Sequence, residues 1–127
     1  MIHPAIDFYD TICDWWDDKS FPILPISFLN RGYVSTINDK PIFAGFLLKD
    51  ESMPVGFFTF FASNPEAGET EKSDSFKELS FYVEKLSKDL GIKILVTPTN
   101  NQSLSNRLLN EGFKVGDQNI THFFKEI

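Results

Sequence analysis

The sequence predicts a mixed α/β domain built around one sheet, on three observations. Apolar stretches at 33–37, 42–48 and 55–62 follow one another across short polar connections, the pattern of an antiparallel meander. The apolar period then becomes helical over 75–90, and a short aliphatic run at 92–96 comes after it. A helix standing between two strands of one sheet implies a parallel pair joined by a right-handed crossover. With 127 residues, 42% of them apolar, the chain suits a single domain spanning 1–127 with its own core.

The elements follow in order. Ile6, Tyr9, Ile12, Cys13 and Trp16 recur at helical spacing after Pro4, with Asp7 and Asp10 at the favoured end of the dipole, so a short helix is expected over 5–16. One of Trp15 and Trp16 is expected in the core and the other half exposed. His3 is read as lying in an untethered N-terminus. The run at 33–37 ends in Asn38-Asp39-Lys40, a turn composition, and 42–48 closes at Lys49-Asp50-Glu51-Ser52. The run at 55–62 is apolar on both faces, which predicts a central strand covered on both sides. Residues 65–74 are polar and Glu-rich and read as a loop. Ser75 and Glu78 have capping-box spacing, and the helix they open runs to Gly91, a residue suited to stop it. A second helix over 101–111 buries Leu104, Leu108 and Leu109 and ends at Gly112. Residues 113–115 and 120–124 flank a Gly-Asp-Gln-Asn turn and predict a C-terminal hairpin.

Composition excludes several classes of function. A formal charge of -6 opposes nucleic-acid binding, which needs cations against phosphates, and favours a basic partner. No apolar run is long enough to cross a bilayer as a helix, and no signal-like segment opens the chain, so no membrane role and a cytoplasmic location are expected. A single Cys13 and two histidines do not make a structural zinc site, and no metal is expected. The acidic group Asp14, Asp17 and Asp18 around the tryptophans suits a basic partner or simply a wet helix end. No phosphate-binding glycine loop or dinucleotide fingerprint is present.

The stretch 101–113, Asn-Gln-Ser-Leu-Ser-Asn-Arg-Leu-Leu-Asn-Glu-Gly-Phe, resembles the Asn-led helix and Gly-Phe stop of the GNAT superfamily of acyl-CoA-dependent N-acyltransferases. Residues 90–96 resemble the end of that family's long helix and the strand splayed from its neighbour, and 56–62 resemble the strand whose backbone meets the acyl-CoA. The stretch from Gly32-Tyr33-Val34 through Ser63-Asn64-Pro65 also looks like small GNAT-like proteins carried by tailed phages, which would place the chain in a host cytoplasm. The resemblance implies a GNAT-like fold and transfer of an acetyl group from acetyl-CoA to the amine of a small molecule or basic protein. A homo-oligomer is compatible with it. It further implies an oxyanion-stabilising backbone amide near Phe61, Ala62 and Ser63, cofactor contacts from Ser73 and Ser75 at the start of the long helix, and Asn101 against the pantetheine arm. Asn101 needs no cofactor to explain it, and its first reading is as the cap of its own helix.

The chain departs from the family pattern in ways that bear on function. Where the family places an Arg and glycines that cradle pyrophosphate on bare amides, this chain has Glu71, Asp74 and Phe76. Glu66, Glu69, Glu71 and Asp74 crowd that loop with only Lys72 to offset them. The tyrosine that serves the leaving thiolate is replaced by Leu108, and periodicity turns its neighbour Arg107 elsewhere. For a base the candidates are Glu51, Asp50 and His122, and Thr59, Ser63 and Tyr82 are candidate hydrogen-bond donors. Three readings follow: an acetyltransferase; a GNAT-like binding or assembly protein without acetyl-CoA; and a coenzyme A site in an unusual pose with Arg107, Lys72 or Ser73 on the phosphates.

Overall fold

In a computed structural model, which describes residues 1–121, 123, 125 and 127, the chain forms a five-stranded sheet. The strands are β1 (Ile2–Pro4), β2 (Gly32–Ile37), β3 (Lys40–Lys49), β4 (Val55–Ser63) and β5 (Ile94–Val96), and they lie side by side in chain order. The first four are antiparallel; β4 and β5 are parallel. This is the mixed α/β meander-plus-crossover expected from the sequence. The β2–β3 hairpin turns on Asn38 and Asp39, both at positive φ (50° and 64°), residue types that tolerate the left-handed region a two-residue hairpin requires.

The first strand escapes a sequence reading because three residues carry no period. It ties down the N-terminal segment: His3 pairs with Val34, and its Nε2 lies 3.2 Å from Thr36 Oγ1. A 3₁₀ turn (Ala5–Phe8) leads into helix α1 (Tyr9–Asp18). Trp15 and Trp16 are both buried, not one in and one half out. They pack with Ile12, Val34, Ala44, Phe46 and Ala62 on one face of the sheet.

Helix α2 (Glu69–Asp89) covers the other face with helix α3 (Gln102–Asn110), around Phe43, Leu47, Phe58, Phe76, Leu79, Val83, Leu104 and Leu108. Both helices end in the same way. Ile92 and Gly91 donate to Ser87 and Lys88 carbonyls, and Phe113 and Gly112 to those of Leu108 and Leu109. Gly91 and Gly112 sit at φ of 75° and 90°, so glycine is the residue that allows these stops.

The start of α2 corrects the expected cap. The helix begins six residues before Ser75, and its capping pair is Gly68 and Glu71, whose carboxylate accepts the Gly68 N–H at 3.0 Å. Ser75 is a buried interior residue, and Glu78 accepts a 2.8 Å hydrogen bond from Ser35 Oγ, tying the helix to β2. Residues 69–74 are exposed or half-buried and all polar, so the start of the helix carries no apolar stripe to announce it.

The strand covered on both faces is β3, whose Phe43 and Leu47 face α2 while Ala44 and Phe46 face α1. The adjacent β4 leaves Phe57 and Phe60 part exposed, contrary to the expectation of a doubly covered 55–62. Of the expected C-terminal hairpin, described residues 113–121 contain no strand; His122 and Phe124 lie outside the described residues. Among the described residues, no helix is long and apolar enough to cross a membrane.

Candidate functional site

Only the first part of β4 is held by β5. Val55, Gly56 and Phe57 pair with Ile94, Leu95 and Val96, and a last link follows where Thr97 Oγ1 donates to the Phe58 carbonyl at 2.8 Å. Beyond it Pro98 leads the chain away into α3, and the two segments diverge.

At the divergence β4 also changes its relation to β3. The register shifts between Ala44 and Phe46: Ala44 faces Ala62, but Phe46 faces Thr59. One extra residue is therefore accommodated at 60–61, a bulge. Phe60 adopts φ of 54°, which costs a bulky L-residue about 1–2 kcal/mol. Gly45 makes room opposite. A Cβ there would stand 2.7 Å from the Phe58 ring and 3.1 Å from that of Phe61.

The divergence opens a cleft of about 490 Å³. Its floor is β4 from Thr59 to Ser63. One wall carries Trp15, Trp16 and Phe21, and the other is the start of α3, with Asn101, Ser103 and Arg107. Phe76 does not plug it. That ring is buried beneath the strand, packed on Phe43, Phe58 and Phe61 at centroid distances of 5.3, 6.1 and 5.9 Å.

Several sequence-predicted residues meet here. Phe61, Ala62, Ser63 and Thr59 line the cleft, as does Asn101, whose Oδ1 caps α3 by accepting the Leu104 N–H at 2.9 Å. Other expected contacts do not reach it. Ser73 is exposed within α2, and Ser75 is buried, its Oγ without a partner among the described residues. Tyr82 does not line the cleft and packs against Tyr33 with the rings tilted by 59°, centroids 5.0 Å apart.

Glu51 sits in the β3–β4 turn, exposed, beside a separate hollow of about 420 Å³ that includes Arg31 and Leu90. Strand rise alone places it roughly 20 Å from Phe61, too far for proton transfer in the cleft. Its neighbour Asp50 is engaged locally. The Ser52 N–H, the Ser52 hydroxyl and the Met53 N–H all donate to Oδ1, which holds this carboxyl below its usual value. His122 lies outside the described residues.

Arg107, which the helical period turned from Leu108 and one of the three readings set on the phosphates, does meet the opening. Its side chain is only 11% exposed, reaches into the cleft, lies over the Phe43 ring at 5.9 Å, and donates to Glu69 Oε2 at 2.7 Å. Leu108 takes the core side of the same helix. A helical period says that two neighbours differ in direction, not which of them meets an opening. The acidic loop is likewise less hostile to anions than its composition implied. Of Glu66, Glu69, Glu71 and Asp74, only Glu69 lines the cleft, where Lys19, Lys72 and Arg107 outnumber it.

No protein-family model and no curated protein matches the chain. Solved structures do. TTHA1254 from Thermus thermophilus aligns over 100% of this chain and 98% of its own at a TM-score of 0.73 and 12% identity. Rv2747 from Mycobacterium tuberculosis, in complex with CoA, aligns over 95% of this chain and 76% of its own (TM-score 0.71, 13% identity). The aminoglycoside acetyltransferase meta-AAC0020, from an uncultured soil metagenomic sample, aligns over 100% and 95% (TM-score 0.68, 10% identity). At these identities the likeness is one of fold: the chain has the GNAT-like architecture shared with acetyltransferases.

Proposed function

We propose that the protein is an acyl-CoA-dependent N-acetyltransferase with a divergent donor site. The observation that carries this reading is the parting of β4 from β5 after Phe57, together with the bulge at Phe60 on the floor of the cleft that results. Strand backbone released from a neighbour presents N–H groups without strand partners, and a thioester oxygen placed against them is stabilised as charge develops on it.

Acetyl-CoA fits the residues present in part. The cleft offers an apolar wall and the hydroxyls of Thr59, Ser63 and Ser103 to an acyl-pantetheine arm. The start of α2 offers the diphosphate less than bare amides would, because Glu71 already satisfies the Gly68 N–H. In the transfer, an uncharged acceptor amine adds to the thioester carbonyl, the C–N bond forms as the C–S bond breaks, and the thiolate takes up the proton the amine gives off. The chain's part is to hold the carbonyl at β4 and exclude water with Trp15, Trp16 and Phe21. The acceptor class that suits the surface is a basic small molecule or protein, since the exposed Asp14, Asp17 and Asp18 stand on the helix that supplies the tryptophan wall.

A second reading, a GNAT-like binding protein that transfers nothing, is favoured by the self-capped α2 and by Leu108 in the core. Titration with acetyl-CoA separates the two when backbone amide chemical shifts are followed. Saturable shifts centred on residues 59–63 and 101–104, with coenzyme A released when a polyamine or lysine peptide is added, are the expected result. Unmoved amides at millimolar donor would overturn the acetyltransferase reading.

A further inference from the structure

Arg107 is a cation in an unusual predicament. A guanidinium has five N–H donors in a fixed fork and accepts nothing. Here one nitrogen reaches Glu69, while Nε is fully enclosed and has no acceptor among the described residues. The Phe43 ring beneath the guanidinium satisfies its face, not its edge. Glu69 is a weak partner for so enclosed a charge, because its own side chain is 79% exposed and hydrated. Beyond that enclosed atom the side chain lines the cleft, so an oxyanion entering there can take the place of the exposed Glu69 carboxylate on the fork.

The neighbours suit the same visitor. Lys72 lies one turn along α2 from Glu69, and Ser103 one turn before Arg107 on α3; all four line the cleft. One backbone donor at the head of α2 is already engaged, since Glu71 accepts the Gly68 N–H.

We propose that Arg107 and Lys72 form a side-chain clamp for a phosphate or diphosphate group at the cleft, with Glu69 as the internal carboxylate that such a group displaces. That the group belongs to coenzyme A rests on the function proposed above; the clamp itself does not.

Binding to the whole chain, read by calorimetry or by the fluorescence of Trp15 and Trp16, tests both. The probes are coenzyme A, pantetheine and inorganic diphosphate. Coenzyme A should bind roughly tenfold to hundredfold tighter than pantetheine, the range of charge-assisted hydrogen bonds. Arg107→Gln should erase that difference, Arg107→Lys should restore part of it, and Glu69→Gln should tighten coenzyme A. Should Arg107→Gln fail to fold, Lys72→Gln at the half-buried second cation must still weaken coenzyme A and diphosphate more than pantetheine. Equal affinity for coenzyme A and pantetheine would overturn the clamp and spare the donor reading. Diphosphate bound through Arg107 with no binding of pantetheine or coenzyme A would support the clamp and overturn the donor reading. No binding of any probe would overturn both.

Discussion

The two halves of β4 are alike in composition and opposite in circumstance. Residues 55–57 are sandwiched between β3 and β5, and the turn before them is locked by the Asp50 carboxylate. Residues 58–63 keep β3 but lose β5, gain a bulge, and become the floor of a cleft. A hollow of similar size exists at the closed end, yet it has no parted strands behind it, only side chains around a turn. The lesson is that the opening here is made by sheet geometry first, with side chains lining what that geometry leaves free.

Four substitutions bear on this contrast. Phe58→Ala removes the ring at the fork, fully buried among Phe61, Phe76 and Leu47, and is expected to cost about 3–5 kcal/mol in urea denaturation. A cost below about 1 kcal/mol would mean that the fork is not part of the rigid core. Gly45→Ala forces a Cβ against the Phe58 and Phe61 rings and is expected to cost about 1–3 kcal/mol, with the bulge and the cleft amides shifting in the NMR spectrum. Phe60→Gly deletes an equally large ring but relieves a left-handed backbone, so its stability is expected to stay within about 1 kcal/mol of the parent.

The smallest effect is set by pH at the closed end. Asp50 has a depressed carboxyl, so its contribution to stability is fully present above the ordinary value of 3.8 and is lost as pH falls through the lower value of the folded state. Asp50→Asn should flatten that acid limb in a stability-against-pH series and leave ligand binding at the cleft untouched. A change in cleft binding would show that the two ends are coupled.

Much of the architecture was legible because it rests on local rules. Gly91 and Gly112 announced helix ends that only a left-handed residue permits, Asn101 announced a cap, and the polar turns announced the meander. The site was less legible. The bulge at Phe60 carries no glycine to mark it, and the glycine that makes room for it, Gly45, lies on the neighbouring strand. The true head of α2 was hidden because Gly68 has no capping side chain and the next two turns touch little. Arg107 was set at the site by one reading and turned away from it by the helical period, because which way a helix faces depends on the parted strands beneath it, a long-range fact that no period in nine residues contains.

The Thr97–Phe58 hydrogen bond is where the seam between β4 and β5 stops. Upstream of it, amide protons on both sides of β4 are shielded from solvent exchange by a partner strand; downstream, only those directed at β3 are. Deuterium uptake along 58–63 should therefore read as a fast–slow alternation, interrupted at the bulge. An occupant of the cleft would be visible as the disappearance of its fast members alone.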